Sequence, residues 1–167
     1  MPLMLHTSSS NATQACGAQL AHLVDAGDVL LLTGDLGAGK TQLTKGLAAG
    51  LGVAEPVTSP TFNMLLVHEG RVPLYHFDLY RLDRADQLDD LDYFGTLEAD
   101  GVSVVEWGDR FEEASPADGL LVALHIEGDS ERRVEVRPLG HRGSQLASEW
   151  IAECRSVPGV RVEGQVR

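Results

Sequence analysis

Gly34-Asp35-Leu36-Gly37-Ala38-Gly39-Lys40-Thr41 is the stretch on which the reading of this chain turns. Two glycines bracket four residues, then Lys and Thr follow, which is the spacing of a phosphate-binding loop. Glycines let successive backbone N–H groups curl into a nest around phosphate oxygens, with no Cβ in the way. Lys40 can reach the β- and γ-phosphates as a mobile point charge, and Thr41 offers its hydroxyl to Mg2+. A plain glycine turn between strand and helix is the competing reading, but a chance match to the full pattern arises less than about once in a hundred chains of this length.

The flanks favour the loop. Val29-Leu30-Leu31-Leu32-Thr33 is a short, continuous apolar run, as expected of a strand buried on both faces. Downstream, Leu43, Leu47 and Leu51 recur four apart beside Ala48, which predicts a helix with one apolar face, closed by Gly50 and Gly52. Strand, glycine loop and helix together aim a helix N-terminus at an anion.

The chain has 167 residues and reads as one domain over 1–155, with a loose tail over 156–167. No apolar run approaches the ~20 residues needed to cross a bilayer, and the first ten residues lack the basic and apolar regions of a secretory signal. Cys16 and Cys154 fall on apolar helix stripes and read as buried thiols in a reducing compartment, so a cytoplasmic protein is expected. The net charge of −12 disfavours direct, tight binding to RNA or DNA, which normally needs a basic face. The one basic concentration, Arg132, Arg133, Arg137 and Arg142, is interleaved with Glu131 and Glu135 and reads as a solvated hairpin.

In chain order, Asn11 with Gln14 predicts a helix start, Cys16, Leu20, Leu23 and Val24 its apolar stripe, and Gly27 its end. Thr58-Ser59-Pro60-Thr61-Phe62 is a hydroxyl-rich turn. Residues 62–67 and 74–80 then read as an antiparallel hairpin around Glu69-Gly70-Arg71. Alternation on its second strand sets Tyr75, Phe77 and Leu79 against His76, Asp78 and Tyr80, the latter either a reactive face or a solvated one. Residues 86–94 predict a short acidic surface helix, and Val102 to Trp107 a buried strand. A second hairpin spans 120–126 and 133–137, and a last helix opens near Ser144. The fold class is α/β: a three-layer P-loop NTPase-like fold whose mixed central sheet, with antiparallel hairpins, is flanked by helices.

A phosphate loop needs a second anchor for the metal and a group to orient water, usually at the end of an apolar strand. Glu106 ends the more continuous run and is assigned the magnesium side; Asp78 is then the candidate for orienting water or reading the γ-phosphate. By pattern alone the two could be exchanged. The six histidines show no metal-ligand spacing. Lys40 and Lys45 are the only lysines, so an Asn-Lys-x-Asp guanine-recognition motif is absent, which argues for ATP or for unselective base binding.

Gly-Asp-Leu-Gly-Ala-Gly-Lys-Thr, Thr-Ser-Pro-Thr-Phe, Tyr-His-Phe-Asp-Leu-Tyr-Arg-Leu and Val-Val-Glu-Trp, in this order and spacing, resemble the TsaE (YjeE) family. The resemblance runs from about residue 7 to residue 138. It implies an ATPase that acts with a TsaB–TsaD complex in making threonylcarbamoyladenosine in tRNA, resets that complex through its ATP cycle, and meets tRNA mainly through its partners. It implies that Leu36 to Thr41 hold the phosphates of ATP, and that Thr41 and Glu106 hold Mg2+. Asp78 and Trp107 would be linked to activity, Ser59 and Thr61 would lie in a switch-like segment, and Ser10 and Thr13 near the nucleoside. Two alternatives from other classes are a small-molecule kinase and a nucleotide-sensing module without turnover.

Overall fold

The computed structural model describes residues 3–58, 60 and 63–164. The elements are β1 (Leu3–Thr7), α1 (Ser10–Ala21), β2 (Val29–Thr33), α2 (Lys40–Gly50), β3 (Leu65–His68), β4 (Leu74–Asp78), α3 (Tyr93–Leu97), β5 (Val102–Glu106), β6 (Gly119–Ile126), β7 (Arg132–Leu139), α4 (Gly140–Cys154) and β8 (Val160–Glu163). The eight strands form one sheet in the order β3-β4-β5-β2-β6-β7-β1-β8. Its centre, β4-β5-β2-β6, is parallel, and the strands outside it pair antiparallel.

The parallel centre follows from residues apolar on both sides. Along β2, Leu30 and Leu32 enter a core with Cys16 and Leu20 of α1, Leu43 and Leu47 of α2, and Trp150 of α4. Val29 and Leu31 enter the opposite core, with Phe77, Val105 and Tyr93. This is the mixed sheet flanked by helices that the sequence predicts. Cys16 and Cys154 are both buried and unbridged, and the hydrogen bond to Cys16, together with burial, raises the Cys154 thiol pKa. Tyr93 donates to the Ala114 carbonyl at 2.8 Å, and burial likewise raises its phenol pKa. No helix among the described residues is long and apolar enough to cross a membrane.

Local boundaries differ from the sequence reading for identifiable reasons. α1 starts at Ser10, because the Ser9 hydroxyl, rather than the Asn11 side chain, caps it, accepting from Ala12 N at 3.0 Å; the helix ends at Ala21, well before Gly27. β3 begins at Leu65 and β4 stops at Asp78. The acidic segment is not one helix: a 3-10 turn over Ala85–Leu91 breaks from α3 at Asp92, whose φ of 50° is left-handed. α4 opens at Gly140, ahead of Ser144, where Arg142 donates to Asp28 at 2.9 and 2.7 Å and to the Leu23 carbonyl at 3.0 Å. The residues expected to form a loose tail instead supply β8, which pairs with β1 from Met4↔Glu163 to Thr7↔Val160. The side chain of Glu163 accepts from Arg161, which with His6 draws its carboxyl pKa below the ordinary value.

α1 and α2 touch backbone to backbone. A Cβ at Gly46 would lie 1.8 Å from the Gln14 carbonyl oxygen, and one at Gly17 2.2 Å from that of Leu43. This contact sets the N-terminus of α2 relative to that of α1. Gly46→Ala should therefore destabilise the protein by about 3 kcal/mol through forced separation of the helices. Urea unfolding checks this; an unchanged midpoint would show that the helices part freely.

Candidate functional site

β2 ends at Thr33, and the chain turns through residues 34–39 before α2 opens at Lys40. Gly34 has φ 140°, and a Cβ there would lie 2.6 Å from the Leu124 carbonyl oxygen, so the loop can pass β6 only at a glycine. Gly39, at the N-cap of α2, provides no side-chain cap, so the first N–H groups of this helix are available to an anion. Lys40 is 6% exposed, and its Nζ donates to the Gly34 carbonyl and, at 3.4 Å, to that of Asp35. The same nitrogen sits 4.6 Å from the centre of the Trp107 ring.

Parallel pairing brings the two candidate acids to this loop. Asp78 is opposite Glu106 across β4 and β5, and Glu106 is opposite Leu32 across β5 and β2. All three lie at the carboxyl ends of their strands, where open α/β sheets bind ligands. Both acids are 3% exposed. Asp78 Oδ1 accepts from Tyr80 N at 2.9 Å, and Glu106 Oε2 pairs with His76 Nε2 at 2.7 Å. The polar face of β4 is thus buried, which removes the solvated alternative for His76 and Asp78; Tyr80, beyond the strand, is 55% exposed. Trp107 follows Glu106 with φ 58°, a left-handed conformation that costs about 1–3 kcal/mol at a bulky residue. That turn carries its ring over Lys40 and to 4.9 Å from Tyr80.

A cleft of about 330 Å3 is lined by residues 35–42, Asp78, Glu106 and Trp107. Ser10 and Thr13 also line it, at the start of α1. The Thr13 hydroxyl is engaged with that of Thr7 at 2.7 Å. Gln42 accepts from Gln14 Nε2 at 2.6 Å and faces the cleft. Ser59 and Thr61 lie outside the described residues. Among the described residues, no group of three or more His, Cys, Asp or Glu side chains is placed to hold a metal ion.

Ser130 and Arg132 line the cleft too, whereas the sequence pattern puts Arg132 on a solvated hairpin. Its guanidinium donates to Gly37 O at 3.0 Å in the loop. It also donates to Gly128 O and Glu131 O, each at 2.8 Å, in the β6–β7 turn. The parallel pairing of Thr33 with Ala123 brings that turn to the loop, and nothing local in the sequence announces it.

A family model described as "Threonylcarbamoyl adenosine biosynthesis protein TsaE" matches residues 7–134. The chain belongs to the TsaE family. The TsaE protein of Bacillus subtilis is 39% identical over 148 residues, covering 88% of this chain and 92% of that protein. The TsaE protein of Streptomyces coelicolor is 46% identical over 134 residues, covering 75% and 90%. The crystal structure of Bacillus subtilis YdiB superposes with a TM-score of 0.75 at 35% identity, over 90% of this chain and 95% of that one. The family match spans the loop, Asp78, Glu106 and Arg132, whereas α4 and β8 lie beyond it.

A polyphosphate that took Lys40 in this cleft would draw its ammonium from the two carbonyls and from the Trp107 ring. Adding ATP with Mg2+ should change intrinsic tryptophan emission, and Trp107→Phe should abolish the change. Trp150, fully buried against α1, supplies a constant background. A change that survives in Trp107→Phe would place the ligand elsewhere.

Proposed function

We propose that this chain binds and hydrolyses ATP with Mg2+ as the partner-dependent ATPase subunit of tRNA threonylcarbamoyladenosine synthesis. It acts in the cytoplasm with a TsaB–TsaD-type complex, resets that complex through its ATP cycle, and reaches tRNA mainly through these partners. The carrying observation is that Lys40, held on backbone carbonyls, shares one narrow cleft with Thr41 and the abutting Asp78–Glu106 pair.

The residues present fit the proposed ligand. Gly34 lies where a Cβ would strike Leu124, and α2 has no side-chain cap, so the loop can cradle an anion. Two carboxylates and one hydroxyl are too few donors for an all-protein metal cage. They suit Mg2+, which keeps waters and takes one or two carboxylates together with phosphate oxygens. When bound, Mg2+ would neutralise charge across the β- and γ-phosphates.

On this reading, backbone N–H groups of Leu36 to Thr41 hold the phosphates, with Gly34 shaping the turn. Lys40 moves from its carbonyls to the β- and γ-oxygens. Thr41 and Glu106 face the metal side. Asp78, fixed by Tyr80 N, orients the attacking water or accepts its proton. Ser10 and Thr13 lie at the nucleoside end. Arg132 is committed to loop and hairpin carbonyls, so it braces the loop and is not available as an arginine finger. A trans-acting group of that kind is worth 10³–10⁵ in rate. The chain alone should therefore turn over slowly. Leu36, 86% exposed at the loop tip, and Tyr80, exposed and packed on the cleft-lining Trp107, offer apolar surface beside the cleft suited to a partner protein.

Lys40→Ala should still fold, at a somewhat lower melting temperature, yet lose the stabilisation that saturating ATP gives, roughly 3 kcal/mol for ligand near a hundred times Kd. Thermal melts with and without ATP decide this, and a normal ATP-induced shift in the variant would refute the loop assignment. Asp78→Asn should bind ATP almost normally and hydrolyse it on the order of a hundredfold more slowly. The assay is ADP release with and without added TsaB–TsaD complex. Fast release by the isolated wild-type chain, unchanged by that complex, would contradict partner dependence.

A further inference from the structure

A second polar row runs through the core behind Glu106. β3 and β4 pair Leu66 with His76 and His68 with Leu74, so the two histidines are diagonal neighbours on one face. Their ring centres are 6.5 Å apart at an interplanar angle of 43°. His76 is 0% exposed and His68 5%. Each spends one nitrogen on a carboxylate: His76 Nε2 on Glu106 at 2.7 Å, and His68 Nδ1 on Glu55 at 2.6 Å, the latter half-exposed at the surface. The remaining nitrogens, His76 Nδ1 and His68 Nε2, are buried and have no hydrogen-bond partner among the described residues.

Donor arithmetic decides what could satisfy them. An ionised carboxylate only accepts, so the Nε2 of His76 and the Nδ1 of His68 must carry the protons. In neutral rings the two free nitrogens are then both lone-pair acceptors. They cannot bond to each other. A single water has two protons to give, and two hydrogen bonds of about 2.9 Å at its bent angle span about 4.6 Å, a separation that nitrogens turned toward each other on rings 6.5 Å apart can reach. Leaving two buried acceptors unmatched is unfavourable, and internal waters commonly serve such groups.

We propose that His68 and His76 bind one internal water between these nitrogens, and that the resulting chain, Glu55–His68–water–His76–Glu106, fixes the Glu106 carboxylate. His76 is therefore a positioning residue. It acts through Glu106, and its effect on metal rests on the reading of Glu106 as the magnesium-side carboxylate. Outer partners of this kind are typically worth 10- to 100-fold in metal affinity or activity. The chain also links the floor of the cleft to the exposed Glu55, across the face that packs on α2.

The test has two arms. In the nucleotide-free protein, long-range 1H–15N correlation of the imidazoles should find His76 as the Nε2–H tautomer and His68 as the Nδ1–H tautomer. A high-resolution crystal structure should place a water within about 3.2 Å of both free nitrogens. The opposite tautomer at either ring, or no water, overturns the chain. In the second arm, calorimetry measures ATP affinity with Mg2+ and in chelator for the wild type, Glu106→Gln, His76→Leu and His76→Gln. His76→Leu should weaken Mg2+-dependent binding 10- to 100-fold with metal-free ATP affinity unchanged. His76→Gln, whose amide N–H can stand where Nε2–H stood, should recover binding to within about threefold. Thermal melts separate misfolding from these effects, and if His76→Leu does not fold, failure of His76→Gln to retain Mg2+-dependent binding overturns the positioning role. Normal Mg2+ dependence in His76→Leu alongside a loss in Glu106→Gln overturns it as well. Normal Mg2+ dependence in Glu106→Gln instead refutes the metal-side reading of Glu106, and the first arm still decides the water.

Discussion

The parallel register of β4, β5 and β2 is the constraint on which the rest depends. It sets Asp78, Glu106 and Leu32 abreast at the mouth of the glycine loop. Alternation along a strand has a period of two, so a slip of one residue would send both acids into the opposite core. Val102, Val104 and Leu74 pack on the face toward α2, and Phe77 and Val105 pack on the other, which pins that register from both sides. The apolar residues of these strands thus aim the polar ones.

Placing charge at the end of a buried strand is costly, and the neighbourhood offsets that cost group by group. Lys40 rests on two carbonyls and an indole face, Asp78 takes the Tyr80 amide, and Glu106 takes the His76 imidazole. Removing one member leaves its partner buried without a match, which costs about 1–3 kcal/mol and more for a charged group. The contacts of Lys40 are of a kind that a polyphosphate can replace, since carbonyls and a ring face hold an ammonium less firmly than phosphate oxygens do. Those of Glu106 lie behind it, on the side away from the loop, and can persist with a ligand in the cleft.

Much of this was legible in the sequence where the signal is local. The run Val29 to Thr33, the loop and the spacing of Leu43, Leu47 and Leu51 gave strand, turn and helix, and the two hairpins followed from alternation around short polar turns. β1 and β8 were missed because each is a short strand whose partners are distant, β8 at the sheet edge and β1 between β7 and β8: Leu5 pairs with Val134, and Val162 with Leu5. The early start of α4 was hidden because Gly140 and Gly143 are poor helix formers; Arg142 on Asp28 holds that first turn. Residues 86–94 showed helical spacing, but the left-handed Asp92 splits them.

The site divides along the same line. Lys40, Thr41, Asp78 and Glu106 could be nominated because each sits at a boundary visible in one dimension, the end of an apolar run or the start of a helix. Arg132 and the partnership of His76 with Glu106 could not, because each contact joins strands whose neighbourhood is set by the order of the sheet. Alternation placed His76 on the same face as Asp78 and left open whether that face was wet. Burial of the face changes what His76 can do: a solvated imidazole exchanges partners freely, whereas a fully buried one must satisfy both nitrogens within the fold. One nitrogen meets Glu106, and the ring lies 6.5 Å from that of His68, so the histidine that alternation set beside Asp78 ties the cleft to the strand behind it.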